Sequence, residues 1–457
     1  MTSRVLGLVR DTVMAYLFGA GGQMDAYNVA FRFPNLVRDL FAEGAMSAAF
    51  VPTFTRHLSS DSRERAWRLG NLVITALLGA TSILVLLGIV FAQPLTTFFA
   101  GAYAAVPGKL ELTTQLTRVM FPFLTLVAVA AAFMGMLNAL HRFFVPALSP
   151  ALFNVGSILT TIALVPIMPM VGLPAIMAPA IGVLVGGLGQ VVAQWPLLRR
   201  EGFRFRPVID FKDPGLREVL ALMGPGVLGL AAVQINILVN TSLATRAGDG
   251  PASWLNYAFR LMYLPIGLFG VSIATAALPA LSRHAARDDV HEVRQTISHG
   301  LRLMLMLNVP ATVGLVALAT PIVGMIFERG RFTAADTAAT AAALAFYAPG
   351  LIGYSAVKIA APSFYALRDS RTPALVSMAT VAVNVVLNIT LAQLIGYKGL
   401  ALGTALAALF NAASLLYVLR RRLGGLDERA ITTALGKIAL ASLVMGAVAF
   451  GTDGLLA

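Results

Sequence analysis

Charged side chains stand inside stretches of this chain that are otherwise apolar, and their chemistry asks for an explanation first. The cations are Arg4, Arg10, Arg32, Arg38, Arg118, Arg260, Arg302, Lys358 and Lys437, and the acids are Asp11, Asp25, Asp39 and Glu43. Arg4, Arg118, Arg302 and Lys437 lie within about a turn of a stretch end, where a long side chain can reach polar surroundings. Arg10, Arg32, Arg38, Arg260 and Lys358 do not. A cation near the middle of a bilayer costs about 2.5 kcal/mol or more, so these five should face water or a partner. Arg32, Asn35, Asp39, Glu43 and Ser47 follow a spacing of three and four and share one helical face. Two readings fit that face. It is either a salt-bridge ladder locking two helices, or a wet wall whose carboxylates hold arginines ready for an anion. The guanidinium fork matches phosphate oxygens, and arginines outnumber the carboxylates, so an anionic ligand is favoured. Pro34 and Pro265 would bend the helices that carry these arginines.

The rest of the chain is built to hold such a face inside a membrane. Of its 457 residues 58% are hydrophobic and 12% charged, against roughly 25% charged in an ordinary soluble domain. Apolar stretches predict thirteen helical spans, at 2–19, 26–50, 70–99, 112–137, 147–168, 171–198, 216–245, 253–281, 298–327, 337–362, 373–395, 399–419 and 433–452. Twenty basic residues fall in loops after even-numbered spans and five, Lys109 among them, after odd-numbered ones. The positive-inside rule then predicts a cytoplasmic N-terminus. That asymmetry accounts for the net charge of +13, and nucleic acid is not an expected partner. With no cysteine in the chain, disulfides, thiolate metal sites and thiol catalysis are excluded. The first stretch, interrupted by Arg4, Arg10 and Asp11, does not read as a signal peptide.

An internal repeat appears at an offset of 227 residues. Pro52, Pro94, Pro122 and Pro146 fall opposite Pro279, Pro321, Pro349 and Pro373, where chance would align about half of one at ordinary proline density. Ala139-Leu140 matches Ala366-Leu367, and Arg56-His57 matches Arg283-His284. The expected fold is therefore an all-α polytopic membrane protein of two parallel six-helix lobes in a pseudo-twofold arrangement around a central cavity. The lobes are expected at 1–199 and 216–422, with a basic cytoplasmic linker at 200–215 and an additional transmembrane helix at 433–452. Ala30-Phe31-Arg32 and Ala258-Phe259-Arg260 would bring one arginine from each lobe to that cavity.

The N-terminal strings Ser3-Arg4-Val5-Leu6-Gly7, Val9-Arg10-Asp11, Phe18-Gly19-Ala20-Gly21, Asp25-Ala26 and Pro34-Asn35-Leu36, running into LFAEGAMSAAFVPTF at 40–54, are specific. With Tyr257, Arg260, Leu261, Pro265, Leu278-Pro279, Pro349-Gly350 and Lys358, the sequence resembles the MurJ (MviN) family of lipid II flippases to about residue 422. That family lies in the superfamily, called MOP, that also contains multidrug and polysaccharide exporters. The resemblance implies a non-enzymatic transporter in the bacterial cytoplasmic (inner) membrane. It would carry undecaprenyl-diphosphate-linked peptidoglycan precursor (lipid II) to the outer leaflet by alternating access, in the service of cell-wall synthesis and cell shape. The family's substrate-binding cations match Arg4, Arg10, Arg38 and Arg260, with Asn35 and Ser47 beside them. Its gating and charge-pairing acids match Asp11, Asp25 and Glu43, and Asp39 joins them by position.

The resemblance also implies sodium as a coupling ion, bound between spans seven, eleven and twelve. Asn240, Asn384, Asn388 and Thr404 lie there, with Asn236 nearby, and none carries charge. Neutral oxygens make a weak sodium site, and interhelical amide hydrogen bonds are the competing reading. Membrane potential acting on the arginines is the other candidate energy source. No cofactor is expected, and the expected partners are lipid II, membrane lipid and other cell-wall synthesis proteins. Three departures stand out: relatives begin about a dozen residues earlier, they carry a fourteenth span, and they place an acid where Phe259 precedes Arg260.

Two other transporters fit the architecture. A polysaccharide-subunit flippase would share the prenyl diphosphate. A cation-coupled multidrug exporter would want net acidic charge, which Arg10, Arg38 and Arg260 oppose. A membrane glycosyltransferase fits poorly, since Asp39 and Glu43 form the only close acidic pair. The run Gly186-Gly187-Leu188-Gly189 lacks a phosphate-loop lysine and reads as close helix packing.

Overall fold

The structure, a computed structural model, describes residues 2–39, 46–287 and 289–456. Every regular element among the described residues is helical. Among the described residues nine helical segments are long and apolar enough to cross a membrane, and a tenth crossing results if the pair Ala334–Tyr347 and Gly350–Ala366, bent by 43°, counts as one. Leu394 and Leu440 are 77% and 68% exposed on such helices, a surface that hydrocarbon covers and water does not. The chain is a multi-pass membrane protein. Three of the thirteen expected spans are not among these crossings. Residues 2–18 form a helix of only 17 residues with charges along it, and 26–50 is two helices separated by residues outside the described set. The expected span 216–245 is one helix, but it runs through 224–232, whose side chains lie outside the described residues.

The chain divides into two compact units, Met1–Met14 with Gly21–Arg246 and Ala15–Ala20 with Ala247–Ala457. The first holds most of α1 (Thr2–Phe18), α2 (Gly22–Arg38), α3 (Met46–Arg56), α4 (Arg63–Val90), α5 (Ala92–Ala100), α6 (Lys109–Met120), α7 (Phe123–Ala139), α8 (Phe144–Leu164), α9 (Met177–Arg200) and α10 (Pro214–Arg246). Helix α10 was expected to open the second lobe. It falls in the first unit because it packs on α3 and α5, and burial rather than chain order decides membership. The expected linker is an extended segment strapped to the first unit. Phe203 is buried among Trp67, Phe133 and Trp195, and Asn71 bonds the backbone of Arg204 and Arg206 at 3.2 and 3.0 Å.

The second unit holds α11 (Pro251–Pro265), α12 (Val271–Ala286), α13 (Val290–Ala317), α14 (Ala319–Phe327), α15 (Ala334–Tyr347), α16 (Gly350–Ala366), α17 (Arg371–Ile395), α18 (Tyr397–Leu423) and α19 (Glu428–Leu456). Helix α19, outside the repeat, lies along α13. The 227-residue offset is visible in the backbone. Helices α4, α5 and α7 map onto α13, α14 and α16 at both ends. The matched prolines explain much of this. Proline lacks an N–H and its ring clashes with the carbonyl four residues back, so it is favoured in a helix's first turn and elsewhere tends to kink or end the helix. Pro94 and Pro321 therefore stop α4 at Val90 and α13 at Ala317, and each sits in the first turn of the next helix. Pro122 and Pro349 break the expected spans 112–137 and 337–362 in the same way. After α7 and α16 the chain turns through left-handed His141 (φ 56°) and Arg368 (φ 58°), which are also 227 apart.

Two glycines of the run at 186–189, Gly186 and Gly187, serve packing. A Cβ on Gly186 would stand 2.6 Å from the Phe153 carbonyl oxygen, and one on Gly187 would stand 2.9 Å from the Phe123 ring. Helix α9 thus approaches α8 and α7 at a distance only glycine permits.

Candidate functional site

On α1 and α2 of the first unit, Arg10 and Arg38 are each paired with the carboxylate that follows. Arg10 donates from Nε and Nη2 to Asp11 Oδ1 at 3.3 and 3.0 Å. Arg38 does the same to Asp39 Oδ1 at 3.0 and 2.7 Å. Successive side chains on a helix do not face one another, so these contacts require the long arginine stem to fold sideways. Each pair engages two N–H groups on one edge of a guanidinium that has five donors, so the pair alone does not saturate the fork. Both are partly open, at 14% and 11% side-chain exposure for Arg10–Asp11 and 27% and 23% for Arg38–Asp39. Asp39 also accepts from Gln234 of α10 at 3.4 Å.

An aromatic series carries Arg10. Tyr27 stacks on Phe31 at 6.1 Å, Phe31 meets Phe123 at 5.9 Å, Phe123 meets Phe153 at 5.4 Å, and Arg10 lies 5.9 Å from the Phe153 centroid. Rings from α2, α7 and α8 thereby fix the position of a cation on α1. Arg4, in the first turn of α1, is exposed, and Arg32 and Asn35 are half-buried on α2. The Asn35 Oδ1 is buried with no hydrogen-bond partner among the described residues. Glu43 lies outside the described residues, as does the side chain of Ser47, so the expected face Arg32, Asn35, Asp39, Glu43, Ser47 is described only through Asp39. Arg260 stands on α11 in the second unit and is exposed, as is Lys358 on α16. Phe259, where the family pattern has an acid, packs among Tyr263, Tyr347 and Tyr354.

Asp25 has a partner that the sequence reading assigned elsewhere. Lys109, counted above among loop cations, is buried at the start of α6. Its Nζ donates to Asp25 Oδ2 at 3.0 Å, with side-chain exposures of 3% and 0%, and it sits 3.8 Å from the Tyr103 ring centroid. The correction has a physical basis: a fully buried carboxylate needs a cation, and Lys109 is the sole basic residue that the sequence reading placed after odd-numbered spans of the first lobe. Asp25 lies beside the turn after the first span. That shared side of the bilayer was the available signal.

Several of the groups considered for sodium are hydrogen-bonded to one another or to backbone carbonyls. Asn388 Nδ2 donates to Asn384 Oδ1 at 3.1 Å, Asn384 Nδ2 to the Gly403 carbonyl at 3.5 Å, and Thr404 Oγ1 to the Leu400 carbonyl at 2.7 Å. Asn240 lies on α10, in the other unit.

A family model described as lipid II flippase MurJ matches residues 14–457. A Vibrio cholerae protein named "Probable lipid II flippase MurJ" is 37% identical over 426 residues, spanning 91% of this chain and 80% of that one. The chain belongs to the lipid II flippase MurJ family. A solved lipid II flippase MurJ in an inward closed conformation superposes with a TM-score of 0.83 at 28% identity, covering 99% of this chain and 91% of its own. An inward-facing MATE multidrug transporter of the MOP superfamily shares the fold, with a TM-score of 0.74 at 15% identity over 93% of this chain and 96% of that one. The MurJ family thus accounts for an all-helical transporter with arginines on its first two helices.

Proposed function

We propose that this chain is a lipid II flippase. It moves the undecaprenyl-diphosphate-linked disaccharide-pentapeptide from the cytoplasmic to the outer leaflet of a bacterial inner membrane by alternating access, with its N-terminus in the cytoplasm. Beside the family membership, the observation that carries this reading is the pair of partly open, carboxylate-held arginines on α1 and α2. The diphosphate is the part of the substrate that cannot enter hydrocarbon. A guanidinium that is already oriented exchanges its carboxylate for phosphate oxygens at little cost in order. Arg10 and Arg38 grip the diphosphate, Asp11 and Asp39 hold the arginines between cycles, and Arg4 adds to the cationic charge of α1. The prenyl tail stays in lipid and no covalent bond changes. Net positive charge on these helices disfavours the cationic drugs a multidrug exporter would carry.

Asn384 and Asn388 are proposed as an amide clasp between α17 and α18 rather than sodium ligands, since Asn388 donates to Asn384, and Asn384 across to the Gly403 carbonyl of α18, and neutral oxygens make a weak sodium site.

Growth of a strain depleted of its own lipid II flippase tests the function. Restored growth with normal cell shape is the expected result, and a chain present in the membrane at normal abundance without restoring growth overturns it. Orientation has its own test, because the chain has no cysteine. An impermeant thiol reagent should label Asp249→Cys in right-side-out vesicles and Ser62→Cys only in inside-out ones; the reverse pattern inverts the topology.

A further inference from the structure

Helix α11 divides its aromatic residues between two faces. Tyr257 turns into the core of the second unit, 4.9 Å from Phe327 and 5.6 Å from Phe332, with its hydroxyl donating to the Gly19 carbonyl. Phe259 and Tyr263, four residues apart, stack on the other face at 5.8 Å with an interplanar angle of 28°. Tyr347 and Tyr354 approach the Phe259 ring edge-on at 5.5 and 6.2 Å, so that ring is held from three sides. Tyr263 remains 38% exposed.

Arg260 fixes what that face meets. It lies well inside the span 251–286 and is exposed, and a guanidinium at that depth needs water or polar partners. Tyr263 follows it by three residues and shares its side of the helix. An aromatic shelf beside a wet cation is an unusual surface for lipid packing and a suitable one for a sugar, whose ring has an apolar C–H face and a polar rim. The rise from residue 260 to 263 is about 4.5 Å, comparable to the step from a diphosphate to the pyranose bonded to it.

We propose that Tyr263, backed by Phe259, is a sugar-stacking subsite that reads the first pyranose of the lipid-linked headgroup while Arg260 engages the diphosphate. This rests on the flippase reading above and adds the part of the substrate that confers selectivity. The subsite favours glycosylated over bare prenyl diphosphates. Phe259, in place of the acid expected from the family pattern, supplies the ring that holds Tyr263 flat.

The test is binding by the full chain in lipid nanodiscs of two probes, lipid II and undecaprenyl diphosphate without sugar. Tyr263→Leu should weaken lipid II about tenfold, or about 1.4 kcal/mol, and shift undecaprenyl diphosphate less than about twofold, while Tyr263→Trp retains lipid II affinity. Phe259→Leu should act in the same direction. Because Phe259 is packed against three rings, Tyr263 decides the matter if that variant fails to fold. Equal loss for both probes, or no loss for lipid II, overturns the subsite and leaves the flippase reading intact. Failure of the unsubstituted chain to bind lipid II overturns the flippase reading and the subsite with it.

Discussion

Two kinds of ion pair engage α1 and α2 of the first unit, one closed and one partly open, and the proposed function gives them different work. Asp25 and Lys109 are 84 positions apart, join α2 to α6, and are almost wholly removed from solvent. Arg10–Asp11 and Arg38–Asp39 join neighbours on one helix and stay partly open. A pair between two helices holds tertiary structure. One between adjacent residues does not by itself tie two helices together, yet it neutralises an arginine in place. On the proposed function, the arginine acts when the carboxylate lets go.

The comparison predicts opposite phenotypes. The largest effect should come from Arg10→Ala or Arg38→Ala, each lowering lipid II translocation in proteoliposomes at least about a hundredfold, in line with loss of a charge-assisted phosphate contact, while abundance and thermal unfolding stay near those of the unsubstituted chain. Retained transport in both, at normal abundance, would break the assignment of function to the open pairs. Lys109→Met should do the reverse on stability. Leaving Asp25 buried without its cation should cost about 3–5 kcal/mol, seen as a lower unfolding temperature in detergent. Lys109→Met combined with Asp25→Leu should recover most of it, because removing both charges also removes their desolvation penalty. No recovery would mean that the pair is not the structural tie argued here.

Arg10→Lys sharpens the comparison at smaller amplitude. It keeps the charge and loses the planar fork, so translocation should fall about tenfold rather than vanish. Equal rates would show that charge alone suffices.

The smallest effect belongs to a third kind of pair, outside the membrane. Asp369 accepts from the backbone and hydroxyl of Thr372 at 3.0 and 2.7 Å and pairs with Arg422 at 2.7 Å. The hydrogen bonds from Thr372 chiefly, and the Arg422 charge less, hold its carboxyl below its ordinary value. Lowered in the folded state, this group adds stability that is complete above the unfolded pKa and is lost as pH falls through the folded one. Asp369→Asn should therefore lower stability slightly at neutral pH and flatten the acid limb, the two profiles converging at low pH. An unchanged acid limb would remove Asp369 from the account.

Much of this was legible in one dimension. Apolar length marked membrane helices, and the matched prolines set helix ends because the missing N–H and the ring clash act within four residues, wherever the chain goes afterwards. The 227-residue offset and the run of charges on the first two helices were equally local. Lys109 was not legible as a buried partner, since its neighbours in sequence read as a loop and only α2 supplies Asp25. The pairing of Arg38 with Asp39 escaped a reading based on helical faces, because that reading places side chains by direction and ignores how far an arginine can reach. Helix α10 groups with the first unit for a related reason: a linker marks where the chain pauses, whereas packing on α3 and α5 decides which compact unit a helix joins.

The sequence by itself determined that this chain is a set of membrane helices in two repeated series with cations where lipid should forbid them, since hydropathy, proline chemistry and charge act through nearest neighbours. Only the tertiary structure decided which of those charges are consumed by one another and which stay open, since an ion pair's worth depends on distance and dielectric, and both are set by residues far away in the chain.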